Sequence, residues 1–342
     1  MRFDVSMVEG AYLRDILAQP RALADTVASL CAAPDLALKP FDRVVLTGMG
    51  ASYHALQPLF LQLVESGLQT LMLETAELIH YFPAVLTAGT LLVAVSQSGG
   101  SVETVRLLDA VAGRVATVGV TNTPESPLGT RADLTVLTRA GTESSVSCKT
   151  YVTTIAALEW LGAALRRCGR QSAEAALQEA AQSAESYLRG WERKVSQLFD
   201  LLAGVGTLFV TGRGASVAAA GTGGLILKES AHFHAEGMTC SAFRHGPFEL
   251  TGPGTAVLVF AGDERTAALN ANLAADVRNV GGKAFLIGAE AQIEAFRLPL
   301  VSGAIRPVVE ILPLQLVSLA LAAWAGHRPG KFKLLTKVTT IE

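Results

Sequence analysis

The chain has 342 residues, half of them hydrophobic and only 17% charged, with a formal net charge of −2 at pH 7. That composition weighs against a disordered chain, and the near-neutral balance weighs against a sequence-independent grip on nucleic acid. Its four cysteines (Cys31, Cys148, Cys168 and Cys240) contain no CxxC pair, which argues against a structural zinc site or a disulfide framework and suits a reducing cytoplasm.

The length suggests two domains. The opening stretch MRFDVSMVEGAYLRD has no apolar core of signal-peptide length. The expectation is therefore a soluble, cytoplasmic protein with no membrane or nucleic-acid partner. In chain order, Arg43–Thr47 reads as a strand and Tyr53–Glu65 as a helix. Leu71–Leu73 is a short strand and Ala76–Tyr81 a helical turn. Leu91–Val95 and Val115–Val120 are further strands, with Val102–Val111 helical between them. This βαβ rhythm, with strands that are continuous apolar runs, predicts an α/β fold with a parallel sheet covered on both faces. Two Ala/Leu-rich segments, Tyr151–Cys168 and Ser172–Leu202, then repeat their apolar residues at helical spacing and join two halves. Near the other end, Leu312–Ala325 contains Gln315 and is too short to span a bilayer, so it reads as a buried helix.

The rhythm restarts in the second half. GMGAS at 48–52 reappears as GRGAS at 212–216, an offset of 212 − 48 = 164, each time after an apolar strand. At the same offset Val95 falls on Val259 in a second apolar strand, and Ala132–Leu137 falls on Phe296–Val301. Gly113-Arg114 before a strand resembles Gly282-Lys283 before a strand at an offset of 169, a drift of loop length. The landmarks keep their order, so the chain reads as a duplication of one α/β domain with about five strands in each copy. The boundary is placed between residues 1–170 and 171–342.

The duplication tests a loop. In copy one, the strand ending at Val95 runs into SQSGGS at 96–101, and then an amphipathic helix begins. At an offset of 164 the counterpart is FAGDER at 260–265, with no hydroxyl and two acids. A fold requirement would appear in both copies, so the hydroxyls of copy one point to function. The competing reading is a plain Gly/Ser turn that caps a helix. A helix start beyond the carboxyl end of a strand offers amides and a favourable dipole to an anion, and Ser96, Ser98 and Ser101 add hydroxyl donors. This suits one phosphate. It lacks the lysine of a GxxxxGK[ST] loop. A dinucleotide alternative rests on Gly48-x-Gly50 and Gly212-x-Gly214, with Glu74 ending the second strand. Tyr53 and Val217 stand where each third glycine would be, so no cofactor is expected.

Together these residues resemble the SIS (sugar isomerase) domain family, above all the isomerase half of glucosamine-6-phosphate synthase and its single-function relatives. The likeness covers nearly the whole chain. It rests on SQSG at 96–99, GMGAS and GRGAS, KESAHFHAEG at 228–237, FRHGP at 243–247 and the C-terminal LLTKVTTIE. The resemblance implies two tandem SIS-type domains, doubly wound around mostly parallel five-stranded sheets. It implies a sugar-phosphate substrate held by Ser52, Ser96, Gln97, Ser98 and Ser101. It implies that Glu229 moves a proton between C1 and C2, that His245 opens the ring, and that Lys337 stands near the sugar carbonyl. In the family that histidine comes from the neighbouring subunit, so a homodimer with a shared active site is implied. The chemistry is consistent: a carboxylate returns the proton it takes, histidine exchanges a proton near neutral pH, and a lysine forms a Schiff base or stabilises an enolate. It needs no metal.

Three departures narrow the expectation. Residue 2 is Arg rather than a cysteine nucleophile, and no glutaminase domain precedes, so an ammonia-delivering synthase is not expected of this chain alone. Ile226 stands where the synthases carry a second lysine, three residues before the glutamate. The loop GTESSVSCKTY at 141–151 is one residue shorter than its usual form. FRHGPFE resembles relatives that deaminate or deglycate sugar phosphates as much as it resembles the synthases. The expected activity is therefore that of a phosphosugar isomerase or deaminase, with glucosamine-6-phosphate deaminase the specific expectation. A non-catalytic sugar-phosphate-binding regulator is the alternative. Read singly, Glu229 beside Lys228 would be a solvated helix residue, His245 a turn residue and Lys337 a solvated tail residue. His232 and His234, two apart, diverge on a helix and read as structural rather than as metal ligands.

Overall fold

Continuous apolar strands with no polar face must be covered on both sides, and the first half of the chain builds that arrangement. The computed structural model describes every residue except Met1, Ser302, Leu335 and residues 338–342. Its first sheet has five strands: β1 (Arg43–Gly48), β2 (Thr70–Glu74), β3 (Thr90–Val95), β4 (Ala116–Thr121) and β5 (Leu134–Leu137). All pair in parallel in the order β2-β1-β3-β4-β5. Val44, Val45 and Leu46 of β1 and Leu92 and Val93 of β3 are fully buried, each contributing about 1.5–3 kcal/mol relative to exposure. The second sheet has β6 (Thr207–Gly212), β7 (Ala235–Thr239), β8 (Thr255–Phe260) and β9 (Lys283–Ile287), again all parallel, in the order β7-β6-β8-β9. The first four strands of both sheets thus follow one winding.

The second sheet has four strands rather than the expected five. The apolar segment matched to β5 forms a short 3-10 turn, Glu294–Phe296, and one parallel bridge, Gly288↔Arg297. Pro299 follows, and a residue without an N–H cannot extend a ladder. Two predicted helices are each split. Tyr53–Glu65 becomes Gly50–Ala55 and Gln57–Glu65, with Pro58 in the first turn of the second. Ser172–Leu202 becomes Arg170–Leu188 and Trp191–Leu201, with Gly190 left-handed between them (φ 68°).

Two compact units result. One gathers residues up to Pro20, Ser144–Cys148 and Glu179–Lys333, and holds the second sheet. The other gathers Arg21–Glu143, Lys149–Gln178 and the described residues from Leu334 onward, and holds the first sheet. In the second-sheet unit the helix Val217–Ala231 packs on the helix Pro307–Trp324. The stretch Gly303–Trp324 is long and apolar enough to cross a membrane, yet 94% of its apolar window is buried inside the fold, as a core helix is. Gln315 of that helix and Gln19, both fully buried, exchange reciprocal amide hydrogen bonds of 2.7 and 3.0 Å, which satisfies two otherwise costly polar groups.

Candidate functional site

The strand order β2-β1-β3-β4-β5 reverses direction between β1 and β3, and open α/β sheets bind ligands at that switch point, beyond the carboxyl ends. Gly48 of β1 is in register with Val95 of β3, so the turns that follow them emerge side by side. One carries Ser52, half-buried in the short helix Gly50–Ala55. The other carries Ser96, Gln97, Ser98 and Ser101. The expected phosphate-binding residues therefore meet at one edge of one sheet.

Hydrogen bonds internal to the second turn fix its shape. Gly99 N donates to Ser96 Oγ at 3.1 Å, and Gly100 N to Ser98 Oγ at 3.3 Å. The Gln97 carbonyl accepts from Asn122 N (3.1 Å), Thr121 Oγ1 (3.1 Å) and Thr123 Oγ1 (3.4 Å). Gly99 is left-handed (φ 62°), and a Cβ there would overlap Ser126 Oγ. Ser101 is the N-cap of the helix Val102–Val111: its Oγ accepts from Thr104 N at 3.4 Å and lies 2.9 Å from Thr104 Oγ1. The first-turn amides of such a helix have no intrahelical acceptor, and its dipole favours an anion there. Beside Gln97, a cavity of about 440 Å³ is walled by Asn122, Thr123, Arg139 and Glu143.

The duplicate of this turn corrects the sequence register. Strand starts show an offset of 255 − 90 = 165 between β3 and β8, not 164. The counterparts of Ser96, Ser98 and Ser101 are then Ala261, Asp263 and Thr266 rather than Phe260, Gly262 and Arg265. Copy two therefore does carry a hydroxyl, at the N-cap position of the helix Ala267–Asn279, although it makes no capping hydrogen bond. Ser101 thus shares a helix N-cap position that carries a hydroxyl in both copies, whereas Ser96 and Ser98 are peculiar to copy one. At the second switch point a buried carboxylate takes the room instead. Glu310, 2% exposed, accepts from Ser216 Oγ at 2.7 Å, and its Oε2 finds no partner among the described residues. Burial pushes its pKa up to about 7, against the weaker downward pull of Ser216 and Arg306. Asp263, paired with Arg265 at 3.0 Å, adds a second acid. This corner thus presents carboxylates where the first sheet presents the hydroxyls of Ser96 and Ser98.

Glu229 and His245 belong to the second-sheet unit. Glu229 is half-buried in the last turn of the helix Val217–Ala231, which ends where His232 turns left-handed (φ 50°). His232 and His234 are therefore not on one helix but in the connection to β7. Tyr12, a residue the sequence did not single out, is fully buried nearby. Its hydroxyl lies 3.2 Å from Ser318 Oγ. Burial above all, with the charges of Cys148 and Glu229, pushes the phenol far above its usual range. His245 is exposed and closes the helix Cys240–Arg244; its N–H donates to Ala242 O at 3.1 Å, ahead of Gly246 (φ 140°) and Pro247. Ile226 is buried in the helix (1% exposed), so no polar group replaces the absent lysine at that position.

Lys337 lies in the first-sheet unit. Its Nζ pairs with Glu143 Oε2 at 2.9 Å; the lysine side chain is 25% exposed and the glutamate side chain fully buried. Glu143 also accepts from Thr150 N (3.2 Å) and Thr150 Oγ1 (2.6 Å). Lys149, 7% exposed, donates to Thr142 O at 2.7 Å. Sequence reasoning missed Glu143, although GTES placed an acid in a segment otherwise rich in hydroxyls and core residues, where a carboxylate needs a cation.

Comparison with known proteins follows the same lines. The SIS domain family model matches residues 37–164 and 201–323. The chain is 31% identical over 345 residues to a glutamine–fructose-6-phosphate aminotransferase (isomerizing) of Pyrococcus horikoshii, covering 96% of this chain and 57% of that protein. It is 30% identical over 347 residues to the protein so named in Pyrobaculum aerophilum, with 96% and 57% covered. The chain thus spans little more than half the length of these curated relatives. Among solved structures, the C-terminal domain of glucosamine-fructose-6-phosphate aminotransferase from Francisella tularensis superposes with a TM-score of 0.81 at 23% identity, over 94% of this chain and 98% of that one. Glucosamine-6-phosphate deaminase from Thermotoga maritima gives 0.81 at 18% identity, over 97% and 100%. At these identities the superpositions establish the fold.

Proposed function

This chain belongs to the SIS domain family, and on that premise we propose that it is a phosphosugar isomerase or deaminase acting on an amino-sugar or ketosamine 6-phosphate, with glucosamine 6-phosphate as the substrate of choice. Ser96, Gln97, Ser98 and Ser101, with Ser52, hold the phosphate. His245 of the partner subunit in a homodimer assists opening of the pyranose to the C1 aldehyde. Glu229 takes the proton from C2, leaving an enolamine, and returns it to C1, which leaves an iminium at C2 and an alcohol at C1. Water hydrolyses the iminium to the ketone of fructose 6-phosphate and releases ammonia. Lys337, held by Glu143, stabilises as a cation the charge that develops on O1 when C2 loses its proton, and supplies the proton that makes O1 a hydroxyl. A cytoplasmic setting fits the four cysteines, none of them in a disulfide.

The observation that carries this reading is the pair Ser96 and Ser98 at the β1/β3 switch point, replaced by Ala261 and Asp263 at the equivalent corner of the duplicate. The test is incubation with glucosamine 6-phosphate. Equal amounts of ammonia and fructose 6-phosphate are expected; no turnover of this or any phosphosugar in a panel would refute the enzyme.

Buried Ile226 favours one second reading, a sugar-phosphate-binding regulator without turnover. Tight binding of the sugar phosphate with no product over hours, and a co-purifying protein partner, would select it.

A further inference from the structure

In the second-sheet unit, the start of the chain and the segment after the helix Pro307–Trp324 wall a cavity of about 440 Å³, within the about 300–1,000 Å³ typical of small-molecule sites. Arg14, Arg328 and Lys331 line it, together with the hydroxyl-bearing Ser144 and Ser145, and no acidic side chain does. None of the three cationic side chains makes an ion pair or hydrogen bond among the described residues. Elsewhere exposed cations of this chain do find acids, as Lys228 does with Glu236 (3.3 Å) and Arg244 with Asp276 (2.6 Å).

The cavity walls are fixed. Ser145 Oγ donates to Gly330 O at 2.6 Å, and Gly330 N donates to Ser230 O at 3.1 Å. Gly330 is left-handed (φ 72°), and a Cβ there would overlap Ser145 Oγ and Tyr12. His232 Nε2 lies 3.1 Å from Lys331 O. The field there is already positive: Lys333 and His327 add to burial in holding the His232 ring below its usual pKa.

Three unpaired like charges around one rigid cavity repel one another until an anion enters, and a preformed wall lowers the ordering cost of binding it. We propose that this cavity binds the phosphate or diphosphate group of a small molecule, at a site distinct from the switch-point loop of Ser96–Ser101. Three cations match the two or three charges of such a group better than the single charge of a carboxylate. The guanidinium forks of Arg14 and Arg328 suit its oxygens.

The test is calorimetric titration with pyrophosphate and, separately, with inorganic phosphate. It is performed on the Ser96→Ala/Ser98→Ala chain, so that the switch-point loop does not contribute. Pyrophosphate should bind once per chain. The added pair Arg14→Gln/Arg328→Gln should weaken it at least about tenfold, as should raising salt from about 50 to 500 mM. Lys331→Gln alone should weaken it by a smaller factor. All three positions are exposed, and melting curves matching the parent would show that the variants fold. Tighter binding of pyrophosphate than of phosphate would assign a diphosphate group, and the reverse a monophosphate. No binding of either at millimolar concentration, or equal affinity in the Arg14→Gln/Arg328→Gln chain, would overturn the proposal.

Discussion

Glu310 and Ser98 occupy corresponding corners of the two sheets, and their side chains set what each corner can do. Glu310 is neutral when protonated, and burial raises its pKa to about 7 from the ordinary 4.5 of a glutamate. The folded state therefore binds the proton more tightly than the unfolded chain. The resulting stabilisation is fully present below the unfolded value and is lost as pH rises through about 7, an effect of about 3 kcal/mol by linkage. Glu310→Gln should remove this dependence and leave the chain more stable than wild type at pH 8 in denaturant titrations. A wild-type curve that gains stability from pH 5 to pH 8 through this residue would contradict the assignment. Ser98 Oγ caps no helix but accepts from Gly100 N at 3.3 Å, so Ser98→Ala should weaken sugar-phosphate binding at a stability cost of about 1 kcal/mol or less. Ser101→Ala should do both, because the cap contributes about 1 kcal/mol. The Lys337–Glu143 pair makes a separate prediction: Glu143→Gln and Lys337→Ala should both lower kcat while sugar-phosphate affinity stays unchanged.

Among the elements, the strands were legible because a strand covered on both faces is a plain apolar run, as RVVLT and LLVAV are. The switch-point loop was legible because its glycines and hydroxyls interrupt such a run abruptly. Gly99→Ala tests that loop as an element: a left-handed φ and overlap with Ser126 should cost about 2 kcal/mol or more and also disturb phosphate binding. Unchanged stability and affinity would show that the turn tolerates another shape. Helix breaks were less legible. Pro58 was visible in the sequence, but a proline in the first turn of a helix neither forbids nor demands a new start. The one-residue error in matching the duplicates had a physical source as well. Apolar strands look alike at neighbouring registers, and only the pairing of β6 with β8 fixes where β8 ends. The second sheet's missing strand was partly legible, since Pro299 within Phe296–Val301 cannot extend a ladder even though its neighbours are mostly apolar. Glu143, Tyr12 and the cavity of Arg14 and Arg328 were not legible, because each joins residues far apart in sequence.

At the scale of the whole molecule, a duplicated α/β domain has kept one winding in both copies while their switch points diverged, one toward hydroxyls and one toward acids. Comparing the copies separates Ser96 and Ser98, which the second copy lacks, from the N-cap position of Ser101, where the second copy keeps a hydroxyl in Thr266. The proposed homodimer, in which His245 of the partner subunit completes each site, makes a complementation prediction. Mixing Glu229→Gln chains with His245→Ala chains should restore about a quarter of wild-type activity if the subunits exchange freely and pair at random, and no recovery would place both residues in one chain's own site. The most direct measurement is a side-by-side comparison of Glu229→Gln and Ser98→Ala with glucosamine 6-phosphate, recording affinity and turnover. The account predicts that Glu229→Gln binds as wild type does while turnover falls by about 100-fold or more, and that Ser98→Ala loses affinity. If Glu229→Gln turns over at the wild-type rate, or Ser98→Ala binds as tightly as wild type, the division of labour between phosphate loop and proton shuttle is wrong.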